Sequence, residues 1–133
     1  MSAENALVAA VVARLKADAA LQAILGGRVH EEAPAQPTYP YVTVTRVQGR
    51  PLPAEGGAVE HLLTLSCVSQ YGGGAEARAL ADAVRTTLDE AALPLGGHRL
   101  VTLRVTYADV FRGSDGKSVL GVLRLRAVTE PLH

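Results

Sequence analysis

The sequence predicts an α+β fold: a mostly antiparallel four-stranded sheet with two helices packed on one face, in the order α-β-β-α-β-β. Three observations lead there. Two stretches repeat apolar residues at helical spacing, and four others are rich in aliphatic and β-branched residues with partial alternation. Glycine or proline clusters separate them. Only one strand–helix–strand unit occurs, too little for a doubly wound parallel sheet.

The first helix begins at Ser2, a residue suited to capping, with Glu4 in its first turn. Leu7, Val8, Val11 and Leu15 form its apolar stripe, and Arg14 and Lys16 suit its negative end. Asp18 restarts a short helical turn through "AALQAIL", which Gly26 and Gly27 stop. The proline-rich connection "EEAPAQPTYP" leads into the strand "YVTVTRV". The segment "QGRPLPAEGGA", 48–58, is rich in breakers and is expected to be a mobile loop before the strand "VEHLLTLSCVSQ".

"GGG" at 72–74 opens a second long helix expected to reach about Ala92, with Leu80, Val84, Leu88 and Ala91 on its apolar stripe. Arg78–Asp82 and Arg85–Asp89 stand four apart on the other side as opposite-charge pairs. Pro94, Gly96 and Gly97 follow, then two long strands, "RLVTLRVTYADVF" and "SVLGVLRLRAVTE". No repeat, low-complexity tract or linker divides the chain, so residues 1–133 read as one domain.

Composition narrows the function. The chain is 48% hydrophobic and 20% charged, with thirteen basic residues balancing thirteen acidic ones. No bulk field draws it to nucleic acid or anionic lipid. One cysteine excludes an internal disulfide framework. The apolar run "ALVAAVVARL" is too short to span a bilayer and lacks the basic head of a secretory signal. These features lead to the expectation of a soluble protein made in the cytoplasm, with no membrane partner.

Two glycine motifs imitate nucleotide sites. In "FRGSDGKS" a phosphate-binding loop would need glycine at 111, where Phe111 stands, and a helix after Ser118, where β-rich sequence follows. Asp115-Gly116 between two strand-like runs is instead a hairpin signal. "GGGAEA", 72–77, fits a dinucleotide fingerprint with Gly72, Gly74 and Ala77, but no acidic residue stands about 20 residues on to hold a ribose. It reads as a glycine-rich helix entry, and no cofactor is expected.

Catalytic and metal sites find no support. His61 and Cys67 share a strand face, yet six residues at about 3.3 Å each put them roughly 20 Å apart, beyond nucleophile–base reach. His98 can approach either from another strand, but no partner acid is marked. Glu31 and Glu32 are adjacent and point to opposite sides of an extended chain. The four histidines have no i, i+4 spacing. The chain does not read as an enzyme.

The last two strands hold the most informative pattern. Val101, Leu103, Val105, Tyr107 and Phe111 alternate with polar residues, as do Val119, Leu123 and Leu125. One hairpin face is expected to be apolar, and the other to carry Arg104, Arg124 and Arg126 among threonines and Val122. Arginine beside apolar residues is over-represented at interfaces. Those three, with Arg50 from segment 48–58, are the candidate assembly residues; a solvated sheet face fits the pattern equally well.

In order, "LKADAALQAILGGRV", "PYVTVTRV", "EHLLTLSCVSQYGGGAEARALADAVRTTLDEAALPLGGHRLVTLRV" and "GVLRLRAVTEP" make the chain resemble phage and gene-transfer-agent tail terminator, or tail completion, proteins. The resemblance covers nearly the whole chain. It implies a structural virion subunit in the tail or neck, forming a ring, usually of six copies, at the head-proximal end of the tail tube. Such a ring stops tube polymerisation and docks the head connector. The implied partners are further copies of itself, the tube protein and the connector or stopper, with passing contact with DNA in the channel. Another neck or head-completion role, a small nucleotide-binding domain and nucleic-acid binding through Arg104, Arg124 and Arg126 are the alternatives.

Overall fold

Ser2 opens the first helix, α1 (Ala3–Ala17), by accepting a 3.0 Å hydrogen bond from the backbone N–H of Asn5. That satisfies one donor the first turn leaves without an intrahelical partner. Leu7, Val11 and Leu15 are buried along one stripe with Ala6. Asp18 ends α1 and caps α2 (Ala19–Leu25), its carboxylate accepting from Leu21 N–H at 3.0 Å. Gly26 closes α2 at φ 55°, a left-handed conformation that costs glycine no Cβ clash.

The computed structural model describes residues 2–53, 56–70 and 73–132. Beyond α2 come β1 (Val29–His30), β2 (Tyr41–Pro51), β3 (Val59–Ser69), α3 (Gly73–Leu88), β4 (His98–Arg112) and β5 (Val119–Pro131). One mixed sheet orders them β1-β2-β3-β5-β4. The expected four strands and two helices are therefore five and three among the described residues. The extra strand, β1, pairs in parallel with β2 through Val29–Val42 and His30–Thr43. Two residues carry no alternation to read. Tertiary bonds hold them: Val42 N–H donates to Arg28 O at 3.0 Å, and Arg28 Nε to Pro40 O at 2.8 Å.

All three helices share one core with a single side of the sheet. Leu7, Leu21, Leu65, Leu80, Leu123 and Leu125 are fully buried there. Each full Leu burial contributes about 1.5–3 kcal/mol before the entropy of ordering is subtracted. α3 lies across β3, β4 and β5. It comes close because the contact is built of small residues: a Cβ placed on Gly121 would sit 3.2 Å from Ala81 Cβ, 3.4 Å from Ala77 O and 3.5 Å from Cys67 Cβ. The final alanine of "GGGAEA" thus serves helix–sheet packing; its Gly72 lies outside the described residues.

Three expectations are corrected by tertiary contacts. First, Gln48–Pro51 are strand, because the β2–β3 ladder continues through Gly49–His61 and Arg50–Glu60 to Pro51–Val59. Proline at a ladder end sacrifices no bond. The connection shrinks to 52–58, and its Ala54 and Glu55 lie outside the described residues. Second, α3 ends at Leu88 rather than near Ala92, since Glu90 turns to φ 60° and its N–H donates to Leu103 O at 2.9 Å.

Third, β4 does not alternate strictly. Its pairing with β5 shifts between Leu100 and Thr102 and again between Val105 and Tyr107, leaving Val101 and Thr106 as extra residues. A bulge of this kind re-aims the side chains beyond it. Leu103 stays in the core, but Val101, Tyr107 and Phe111 are 46%, 44% and 44% exposed, against the expected apolar face. β5, without a bulge against β3, keeps Val119, Leu123 and Leu125 buried as its alternation requires.

The hairpin between β4 and β5 forms as the sequence indicates. Gly116 takes φ 73°, and Gly113 N–H donates to Ser118 O at 2.8 Å. The Asp115 carboxylate accepts from the Ser118 hydroxyl and from the N–H groups of Ser118 and Lys117. Led by the Ser118 hydroxyl, these bonds hold its pKa down at about 2. Gly116 is followed by strand, so "GSDGKS" is a fastened turn.

The open face of the sheet

Among the described residues, no helix covers the side of the sheet away from the core, and the four candidate arginines lie on or beside it. Register puts Arg104 opposite Arg126 on β4 and β5, and Arg50 opposite Glu60 on β2 and β3. Glu60 is the hub. One of its carboxylate oxygens accepts from Arg126 Nε at 2.7 Å, the other from Arg50 Nε at 2.8 Å. These bonds, Arg126's first, hold the Glu60 pKa below the ordinary carboxylate value.

Arg104 reaches instead to the turn after α3, 3.4 Å from both Asp89 and Glu90. Asp89 also accepts from the backbone N–H of Val105 at 2.9 Å, which is the chief reason its pKa is lowered. The expected Arg85–Asp89 contact is not a direct ion pair, although the two charges still attract one another. Arg85 bonds Asp82 at 2.8 Å, three residues away, so Asp82 serves Arg85 and not Arg78. Arg124 lies over the Tyr107 ring, its guanidinium carbon 4.7 Å from the centroid.

Sequence reasoning missed the residue at the middle of this face. Leu62 is 45% exposed on β3, directly opposite Gln48 and Arg126. It borders two shallow hollows, one of about 370 Å³ with Gln48, Arg50 and Glu60, the other of about 320 Å³ with Arg46, Thr64 and Arg124. Strict alternation along β3, with Leu63 and Leu65 inward, was the available signal for Leu62. Arg46 gave none, because a shift between Val44 and Arg46 sets where it faces.

The remaining candidates are placed where they do little chemistry. Cys67 is fully buried, and burial pushes its thiol up to about 12, far from a thiolate nucleophile. His61 is fully buried on β3, its Nε2 2.8 Å from Thr129 Oγ1 and its Nδ1 without a hydrogen-bond partner among the described residues. Burial lowers its pKa; the Glu4 carboxylate opposes that and His98 adds to it. His98, on β4, acts on His61 only through charge, and the Cys67 thiol is shut away in the core. Glu31 and Glu32 stand exposed beside α1 and β2, next to Val8 and Val44. No cluster of three or more potential metal ligands occurs among the described residues.

Comparison with known proteins gives this geometry its setting. A search of curated proteins returns no match. The family model of tail completion protein gp17 matches residues 9–130. A chain in the solved structure of the virion of a native gene transfer agent particle is 32% identical and superposes with a TM-score of 0.88, covering 98% of this chain and 99% of that one. A second solved chain, 13% identical with a TM-score of 0.58 over 100% of this chain and 98% of its own, shares the fold alone. The chain belongs to the tail completion protein gp17 family and is a structural protein of phage-type and gene-transfer-agent tails.

Proposed function

We propose that this protein is a tail terminator, closing the head-proximal end of the tail tube as a ring, of six copies, and presenting a docking surface to the head connector. The observation that carries the reading is the end-to-end similarity to a chain of a gene transfer agent virion, 32% identical over 98% of this chain. The open sheet face supports it: a subunit that closes a ring presents two different, mutually complementary patches. On that face lie exposed Leu62, Tyr107 and Phe111 among arginines, a composition suited to protein contact. The family and the buried state of Cys67 give no support to an enzymatic role.

Electron microscopy of particles made without this chain tests the reading. Tails of uncontrolled length, with or without heads, are the expected result. Normal tails joined to heads overturn it, and tails of normal length that lack heads assign the chain to the neck instead.

A further inference from the structure

We propose, resting on the ring reading above, that neighbouring copies meet head to tail. The arginine-ringed Leu62 of one subunit receives the Glu31–Glu32 segment of the next. Four guanidinium groups, of Arg46, Arg50, Arg124 and Arg126, surround Leu62, and among the described residues Glu60 is the one carboxylate set between them. Glu60 engages two of them, Arg50 and Arg126. Arg46 and Arg124 make no ion pair among the described residues, so the patch keeps surplus positive charge around an exposed apolar centre.

The complement lies on the same chain. Most described carboxylates are already engaged: Asp18 in a cap, Asp82, Asp89, Glu90 and Glu130 in ion pairs, and Asp115 in its turn. Glu31 and Glu32 are adjacent and exposed, and they make no ion pair among the described residues. They follow β1, at the edge of the sheet away from β4, and border half-buried Val8 and Val44. Two carboxylates beside valines match arginines around a leucine in both charge and polarity. A patch and a complement at different places on one chain make a heterologous contact, the kind that closes a ring by rotation.

DNA is the rival occupant of a basic face. It is disfavoured because the patch centre is the exposed, apolar Leu62, which a phosphate backbone leaves unmatched and the valines beside Glu31 and Glu32 do not.

Charge reversal tests the contact in particles whose only source of this chain is the variant. E31K/E32K changes exposed side chains and is expected to keep the wild-type melting temperature and far-ultraviolet spectrum; R46E/R124E also gives up the Arg124–Tyr107 contact, and is expected to keep the spectrum and lose at most about 5 °C in melting temperature. Like charges brought together weaken an interface by more than about tenfold, so each variant is expected to cut the yield of joined particles at least that much. The variant carrying all four substitutions restores the charge match, and yield is expected to return to within about threefold of wild type. Normal yield from either two-residue variant overturns the proposal, as does failure of the four-residue variant to recover. Loss of salt-sensitive DNA binding in R46E/R124E with normal yield gives the face to DNA instead. Imaging wild-type tail ends keeps the two readings apart: a ring there, with variants that do not matter, removes this contact alone, whereas no ring removes both.

Discussion

Arg124 lies over the ring of Tyr107, 4.7 Å from its centroid, although strict alternation would send Tyr107 into the core. The extra residue Thr106 makes the pair by returning Tyr107 to the open face. An exposed cation–π contact contributes about 0.5–1 kcal/mol. Tyr107→Ala is therefore expected to cost less than about 1 kcal/mol in urea unfolding. A larger loss means the ring carries core packing that its exposure does not reveal.

Glu60 between Arg126 and Arg50 makes a salt- and acid-sensitive joint. Because its folded pKa is depressed, its stabilisation is complete above the ordinary value of 4.5 and is lost as pH falls through the folded value. Glu60→Gln is expected to lower the melting temperature at pH 7 in dilute buffer. The gap to wild type should narrow in 1 M salt and close as pH falls through the folded value. A gap that ignores both variables would make the residue's role one of packing.

Gly121 marks the closest approach of α3 to the sheet. Gly121→Val drives a branched side chain into Ala77, Ala81 and Cys67, and overpacking of this kind costs about 1–3 kcal/mol. Denaturant melts should show the loss, and Gly121→Val with Ala81→Gly should recover part of it, since the two sites touch. Additive costs would refute the contact.

His61 gives the fold a second, milder acid response. Burial leaves it neutral, so below about 6.5 the unfolded chain takes up a proton that the folded chain resists. Stability is expected to fall as pH drops below about 6.5 and on through the lowered folded value, with a slope of up to one proton. In His61→Gln that slope should flatten, whatever the change in absolute stability. Equal slopes in the two proteins would assign the response elsewhere.

How far the sequence could be read depends on where each element gets its instructions. α1, the Asp18 cap, the fastened turn at Asp115 and the burial of Val119, Leu123 and Leu125 are dictated locally, by caps, turn chemistry and period. The end of α3 at Leu88 depends on a bond from Glu90 to a strand that has not yet been made in sequence order. β1 exists only because β2 is beside it. Arg104, Arg124 and Arg126 were legible because β5 alternates cleanly and Arg104 lies between the two bulges of β4. Leu62 was signalled only by the alternation of β3, inside a core-like run, whereas Arg46 became visible only with the sheet assembled, since it comes after a register shift.

The bulges have a consequence for shape. β4 spends fifteen residues where β5 spends thirteen, and β2 spends eleven, Tyr41–Pro51, where β3 spends ten, Val59–Val68. Between β3 and β5 the exchange is one for one. Thr45 and Thr106 help fill the gaps, each hydroxyl donating to a carbonyl of the neighbouring strand, Thr64 O at 3.1 Å and Arg124 O at 3.2 Å. Each bulge bends its strand and deepens the local right-handed twist, so the open face turns most sharply along β2 and β4, on either side of the regular β3–β5 pair. A face twisted in this way meets a flat partner over a small area, so a neighbour that covers it has to carry a matching twist.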